Sequence, residues 1–445
     1  MNTILLAAFG AFGTWSHTAD PPEVRTFADD RSVSGFGFDL TGNHRYAVFG
    51  DGGAQLVFIF DRLTSDLVRT LEPDQTDASD YSRNFGEDPV IWNDLLLFGD
   101  ANDPSLPVPS GSLYVVDINT GERITKIPSP DPQDNDFFGG FNAVHGDTLV
   151  TSAIGRGTPG ENSGRLYVYT LPDLELVHNI GDINSEEDVF PFGVALNDDY
   201  IFARRSPLNP TSPGDTVLLM YDRITGELVA EETITFDGET ARFGLSIAAS
   251  ERWVLVADLS FDTPAENAGA VFVFDIETRK FVGIIQASQP QADDTFGQSI
   301  DIRGNIAAIG AQDRPDGSND YGFVELLTLP EGRFLRRIDA IEPDPSINDF
   351  SWTTTGGFGS ALEFVDNGVL VGAPFSSFDA TGHWIPVPEL CPADTNLDRQ
   401  LNMEDFNAWV LAFNSQSPAC DENSDGLCTP ADFNAWVLNF NAGCP

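Results

Sequence analysis

Two runs near the C-terminus carry the residue types best suited to chemistry. Asp394, Asn396, Asp398, Gln400, Asn402 and Asp405 occupy positions 1, 3, 5, 7, 9 and 12 of one segment. Asp421, Asn423, Asp425, Leu427, Thr429 and Asp432 occupy the same positions of a second segment, 27 residues on (394 to 421). Oxygen donors at 1, 3, 5 and 12, a backbone carbonyl at 7 and a polar residue at 9 make a loop for a hard cation, and the spacing is that of a Ca²⁺ loop. Position 12 is Asp in both copies, where Glu is usual. Position 6, where a sharp turn favours Gly, is Gly426 in the second loop and Arg399 in the first, so the first site is expected to be the weaker. The expected cofactor is structural Ca²⁺, two ions in all.

Something must hold these loops. Phe406, Trp409, Val410 and Phe413 follow the first loop at i, i+3, i+4 and i+7, and Phe433, Trp436, Val437 and Phe440 repeat the pattern after the second. That spacing gives each of two helices one apolar face, and the two faces should pack on each other. A core this small is expected to fold with its metal. Cys391, Cys420, Cys428 and Cys444 are the chain's four cysteines, all in this tail, with no zinc spacing and no histidine among them. They point to disulfides and an oxidising compartment. Of three pairings, Cys391–Cys444 with Cys420–Cys428 is favoured, because duplication brings the module's ends together.

Other reactive constellations are missing from the sequence. His17, His44, His145, His178 and His383 are scattered along the chain, with no H-x-H or H-E-x-x-H. There is no nucleophile elbow, Walker loop or dinucleotide fingerprint in its strand–helix setting. Carboxylates are so numerous that sequence alone neither identifies nor excludes a glycosidase pair.

The rest of the chain is repetitive. Phe-Gly recurs at Phe36, Phe85, Phe138, Phe192, Phe243, Phe296 and Phe358, and each pair opens a run of short apolar strands cut by Gly, Asn and Asp turns. The sixth unit runs FGQSIDI, IAAIGA, an acidic loop, a strand beginning at Gly322, and RFLRRI. Four strands per unit is the content of a propeller blade. The seventh unit stops after three strands, and residues 23–28, with Glu23-Val24-Arg25-Thr26-Phe27, look like the missing fourth. The expected fold is therefore mainly β: a seven-bladed propeller of four-stranded blades over residues 20–388, followed by an α-helical module at 389–445. The Phe ring should fill the gap between blades, and Gly should let backbones approach or take positive φ. Acidic loops after the second strands (Asp100/Asp103, Asp258/Asp262, Asp313/Asp316) are expected to be solvated turns rather than Ca²⁺ sites.

These repeats resemble the FG-GAP propeller repeats of bacterial secreted proteins and, in pattern, the integrin α-subunit propeller. Phe296-Gly297-Gln298-Ser299, Ile309-Gly310-Ala311, the loop 313–322 and Gly372-Ala373-Pro374 carry the likeness. The tail, with its Cys391-Pro start, Gly443-Cys444-Pro end and Asp at position 12, resembles the Cys-bounded dockerins of planctomycete secreted proteins. That resemblance implies docking onto a cohesin-like or cell-surface partner.

Composition sets the outer bounds. The chain has 445 residues, 69 acidic against 23 basic, and a net charge of −46. Such a surface repels phosphate backbones and anionic lipid, so neither nucleic acid nor a membrane surface is an expected partner. No internal apolar run approaches the roughly 20 residues of a membrane span. Ile4–Trp15 has the length of a signal-peptide core, so residues 1–19 are expected to direct export, although no basic residue precedes Arg25. The resulting expectation is an extracellular or cell-surface protein with a monomeric propeller that binds a glycan or protein, and that is not an enzyme. The alternative is a tethered glycoside hydrolase or polysaccharide lyase.

Overall fold

The computed structural model describes residues 24–29, 35–73, 84–133, 136–154, 164–181, 188–191, 193–207, 216–234, 246–312, 322–340, 355–376, 380–387, 393–395, 401–415, 420 and 429–442. The chain divides into two compact units, one of them Val24–Ile385 and the other including Pro386–Pro445.

In the first unit the apolar runs become strands, and strands pair antiparallel into seven blade sheets, one per Phe-Gly unit, with one further two-stranded sheet of Thr355–Gly356 and Phe375–Ser376. Blade six shows the pattern with Phe296–Arg303, Ile306–Ala311, Phe323–Thr328 and Arg333–Asp339 in sheet order. Second strands such as Ile306–Ala311 and Trp253–Asp258 are buried along their whole length. Both their faces pack on other sheets, so they read as continuous apolar runs rather than alternating ones. Fourth strands are more exposed, with Ile124, Leu176, Val282 and Phe334 facing outward.

Blade seven is completed by the start of the chain. Arg25–Phe27 pairs antiparallel with Thr381–Pro386, giving the sheet order Arg25–Phe27, Thr381–Pro386, Gly368–Ala373, Leu362–Val365. The expectation for residues 24–28 holds, and the ring is closed by its two ends; Glu23 lies outside the described residues. Phe27 is fully buried, its ring 5.4 Å from that of Phe49 and 5.5 Å from that of Phe60, both of blade one. Thr26 Oγ1 and His383 Nδ1 share a hydrogen bond of 3.1 Å across the joint.

The Phe-Gly pairs sit between blades. Phe36, Phe85, Phe138, Phe296 and Phe358 are at most 1% exposed. Phe85 packs with Val48 and Ile59 of blade one as well as Leu96 and Tyr114 of its own blade, and Phe138 likewise joins Leu97 and Val115 of blade two to Leu149 and Tyr167 of blade three. Burying a Phe of this kind contributes about 1.5–3 kcal/mol. The paired glycines at 37, 86, 139, 193, 297 and 359 all have φ between +82° and +105°. In blade four the buried ring is Phe190; Phe192, Phe243 and Gly244 lie outside the described residues.

A second glycine explains the other half of the motif. Gly50, Gly99, Gly310 and Gly372 lie on the second strands of blades one, two, six and seven, each against the Phe-Gly glycine of the following blade. A Cβ on any of them would overlap the carbonyl oxygen of Gly86, Gly139, Gly359 or Gly37 respectively. The two glycines of FG and GAP are thus the two sides of one backbone-to-backbone contact.

Much of the acidity is consumed by turns. Asp61, Asp117, Asp222 and Asp275 end third strands, and each Oδ1 accepts backbone N–H groups two or three residues on, as from Leu63 and Thr64 to Asp61. These are Asx turns, which close the outer hairpins.

The second unit, described by itself, contains α1 (Met403–Ser415) and α2 (Pro430–Ala442). Its core joins Trp409, Ala412 and Trp436 to Ala393 and Cys420, with Phe406, Val410, Phe413, Phe433, Val437 and Phe440 packed around them. All eight predicted apolar positions therefore meet. Phe406–Trp436 and Trp409–Phe433 ring centroids are both 5.4 Å apart, a symmetric exchange that follows from the duplicated sequence. Among the described residues no helix is long and apolar enough to cross a membrane.

Candidate functional site

The terminal module begins both helices in the same way. Asn402 Oδ1 accepts the Glu404 N–H at 2.7 Å, while Asp405 Oδ2 accepts the Asn402 N–H at 2.8 Å. Thr429 Oγ1 accepts the Ala431 N–H at 3.2 Å, and Asp432 Oδ2 accepts the Thr429 N–H at 2.7 Å. Positions 9 and 12 of each loop are therefore also the two halves of a capping box. The i, i+3 spacing of the cap coincides with positions 9 and 12 of the ligand pattern, so one pair of residues carries both signals.

Asp405 and Asp432 are fully buried and Asp394 is 3% exposed. Trp436 Nε1 donates to Thr395 Oγ1 at 3.1 Å, which brings the start of the first loop onto α2. Cys420 is buried in the core and is not a free thiol. Asn396, Asp398, Gln400, Asp421, Asn423, Asp425, Leu427, Cys391, Cys428 and Cys444 lie outside the described residues.

In the propeller, the first strands of all seven blades surround a central cavity of 810 Å³. One arc of its wall, from blades three to five, is largely apolar, with Ala143, Val144, Val194, Leu196, Ile247 and Ala248. The other arc carries Asp39, Glu87, Asp88, Asp301 and Glu363. Burial raises Asp39 to about 6, with the Asp88 N–H opposing it. Burial and then the charge of Asp39 raise Asp88 to about 8. Burial and then Asp301 raise Glu363 to about 8, and Glu87 stands well above its ordinary range for the same reasons, burial first and then Asp39 and Asp88.

These carboxyls also have structural work. A first strand has a free edge on the axis side, and its N–H groups need partners. Asp88 accepts the Asn142 N–H, Asp301 Oδ2 accepts the Phe364 N–H at 2.7 Å, and Glu363 Oε2 accepts the Gly42 N–H at 3.0 Å. Each bond runs from one blade's carboxyl to the next blade's backbone. The carboxyls were not singled out in the sequence, because nothing in local spacing separates them from the other acidic residues.

The loops after the second strands differ from expectation. Asp100 and Asp103 are fully buried and Asp258 is 2% exposed, so these are not solvated turns. Lys126 Nζ pairs with Asp103 Oδ2 at 2.8 Å, and Ser105 and Ser112 donate to the same carboxylate. Ion pairing and side-chain donors satisfy a charge that burial would otherwise penalise. Asp262 is exposed, while Asp313 and Asp316 lie outside the described residues.

With this geometry established, comparison adds the repeat family. The FG-GAP repeat model matches residues 122–169, which run from the last strand of blade two through the third strand of blade three. The match has one blade's length but is phased across the blade junction where Gly99 meets Gly139. Among solved structures, Kuenenia stuttgartiensis hydrazine synthase is similar with a TM-score of 0.55 and 14% identity, covering 84% of this chain and 98% of that one. At that identity the likeness shows the fold alone. No curated protein matches the chain.

Proposed function

We propose that the chain is a secreted, non-catalytic β-propeller that binds a glycan or protein on its loop face and is anchored to a cell-surface or multiprotein assembly by its C-terminal module, organised by Ca²⁺. The observation that carries this reading is the burial of Asp394, Asp405 and Asp432 at the first and last positions of the two loops. Buried carboxylates with oxygen donors at alternate loop positions suit a hard divalent ion. Asp394, Asp398, Asp405 and their counterparts Asp421, Asp425 and Asp432 would hold it, and the ion would neutralise charge between each loop and the start of its helix. Cys391–Cys444 and Cys420–Cys428 remain the favoured pairing and support export.

The test is a titration of the full chain with Tb³⁺, whose emission the indoles of Trp409 and Trp436 can sensitise. Two equivalents displaced by Ca²⁺, and capture of the chain by the source envelope that EDTA or deletion of 391–445 abolishes, are expected. Capture that survives both treatments sinks the anchoring role.

One observation favours the alternative, a tethered carbohydrate-active enzyme. Asp88 and Glu363 hold protons near neutrality while Asp39 titrates near 6, the separation of roles a glycosidase uses. Their bonds to neighbouring blades weigh against it. Turnover of a neutral polysaccharide that Asp88→Asn or Glu363→Gln removes would establish the enzyme.

A further inference from the structure

His145, Asp198 and Glu251 come from three consecutive blades and meet on the propeller face opposite the long loops. Each lies at or beside the tight turn between a blade's first and second strands. His145 Nε2 is 2.8 Å from Asp198 Oδ1 and 3.9 Å from Glu251 Oε1, and the three ligand atoms all lie within 4.8 Å of one another. We propose that these residues form a binding site for a divalent first-row transition metal, with Zn²⁺ as its probe.

The first argument is geometric. Zn²⁺ takes nitrogen and oxygen ligands at about 2.0–2.2 Å in a tetrahedron, whose edge is then about 3.3–3.6 Å. The two measured separations bracket that edge, so small side-chain rotations bring three ligands onto one ion. One imidazole with two carboxylates matches a borderline metal better than the all-oxygen set Ca²⁺ prefers. His145, Asp198 and Glu251 side chains are 36%, 50% and 34% exposed, which leaves the fourth position open to water.

The second argument is charge. Elsewhere on this face, guanidinium groups tie blades together: Arg62 pairs with Asp366, and Arg303 donates to the Phe364 carbonyl at 2.8 Å. At the His145 corner the nearby arginines bond backbone carbonyls and other carboxylates rather than the Asp198 and Glu251 carboxylates. Arg223 Nε donates to the Asp198 carbonyl at 2.8 Å and its Nη1 to the His145 carbonyl at 3.4 Å, with Asp147 at 3.6 Å. Arg252 pairs with Asp275 and Glu277 at 2.9 and 2.6 Å. Asp198 and Glu251 are left facing each other across one imidazole, and a divalent cation between them would balance their charge.

The framework is fixed before any ion arrives. The Asp198 N–H reaches Glu251 Oε1 at 3.4 Å, Arg223 holds two of the three turns, and Trp92 Nε1 donates to the Gly146 carbonyl at 2.6 Å. Among the described residues this is the one such set of ligating side chains. It lies in the propeller and is independent of the Ca²⁺ loops.

The experiment is calorimetric titration of Zn²⁺ into the full chain already saturated with Ca²⁺, with Co²⁺ absorption reporting coordination. Wild type should take up one further equivalent of Zn²⁺. His145→Ala and Glu251→Gln should each weaken it at least about tenfold, the loss that even outer partners of a metal site can produce. His145→Ala should also remove the imidazole signature from the Co²⁺ spectrum. Melting in EDTA serves as the folding control, and Glu251→Gln retains an acceptor for the Asp198 N–H should His145→Ala fail it. Zn²⁺ uptake equal in wild type and both variants, or no uptake beyond the Ca²⁺ loops, overturns the site.

Discussion

Gly372, on the second strand of blade seven, and Gly37, at the start of blade one, touch backbone to backbone, leaving no space for even one methyl group between them. The contact repeats that of Gly50 with Gly86 and Gly310 with Gly359, so the closing joint is built like the internal ones. Gly372→Ala should therefore strain the ring at its seam and lower stability by roughly 1–3 kcal/mol or more. Gly52→Ala, whose added carbon meets nothing within 4 Å, is the control and should be near neutral. Urea denaturation of the two variants against wild type checks this.

Phe27 anchors the completing strand among Phe49, Phe60 and Trp384. Phe27→Ala should cost about 3–5 kcal/mol, the usual loss for a large buried aromatic. It should also sensitise the chain to proteolysis near Thr381–Pro386, whose outer edge loses its cover. Denaturation midpoints and limited digestion followed by mass mapping would show both; a variant as stable as wild type would mean that the strand is ornamental.

Asp405 and Asp432 cap their helices and would also ligate Ca²⁺. An amide oxygen can still accept the Asn402 or Thr429 N–H, so Asp405→Asn and Asp432→Asn retain a cap and lose the carboxylate. If ligation matters, Ca²⁺ affinity falls at least about tenfold while melting in EDTA changes little. A loss of about 0.5–2 kcal/mol that is the same with and without Ca²⁺ would mean that capping is the whole role. Thermal melts at both conditions decide.

The channel carboxyls make stability fall with rising pH. Asp88 and Glu363 titrate near 8 in the folded chain against ordinary values of 3.8 and 4.5, so the folded state holds protons that the unfolded chain has released. Their contribution is complete below about pH 4 and is lost as pH rises through 8. His383, lowered by burial from 6.5 to about 4, acts in the opposite sense but only between those two values. Between pH 6.5 and 9 the urea midpoint should therefore drop, and Asp88→Asn should flatten the slope. A midpoint that rises across this window contradicts the assignment.

What the sequence revealed follows from the range over which each signal acts. Phe36-Gly37 and its copies mark blade junctions because the packing need recurs at every joint, and Thr26-Phe27 was legible as a fourth strand because unit seven lacked one. Phe406 and Trp409 with their copies specified a helix pair by spacing alone. His145, Asp198 and Glu251 belong to three different repeats, and only closure of the ring brings them together; no local pattern announces such a meeting. Asp88 and Glu363 were hidden by abundance, since 69 acidic residues leave individual carboxylates indistinguishable until burial sorts them. Asp103 illustrates the same limit, as its partner Lys126 lies 23 residues away on the blade's outer strand.

Thr26 and His383, which bond across the seam, are 357 residues apart. A ribosome or export channel delivering this chain from its N-terminus therefore releases the first half of the latch long before the second. Until Thr381–Pro386 emerges, Arg25–Phe27 is an unclaimed strand on an unfinished circle, able to pair with a neighbouring copy instead. Contacts so remote in sequence fold slowly, so crowding during delivery should favour swapped oligomers over solitary rings.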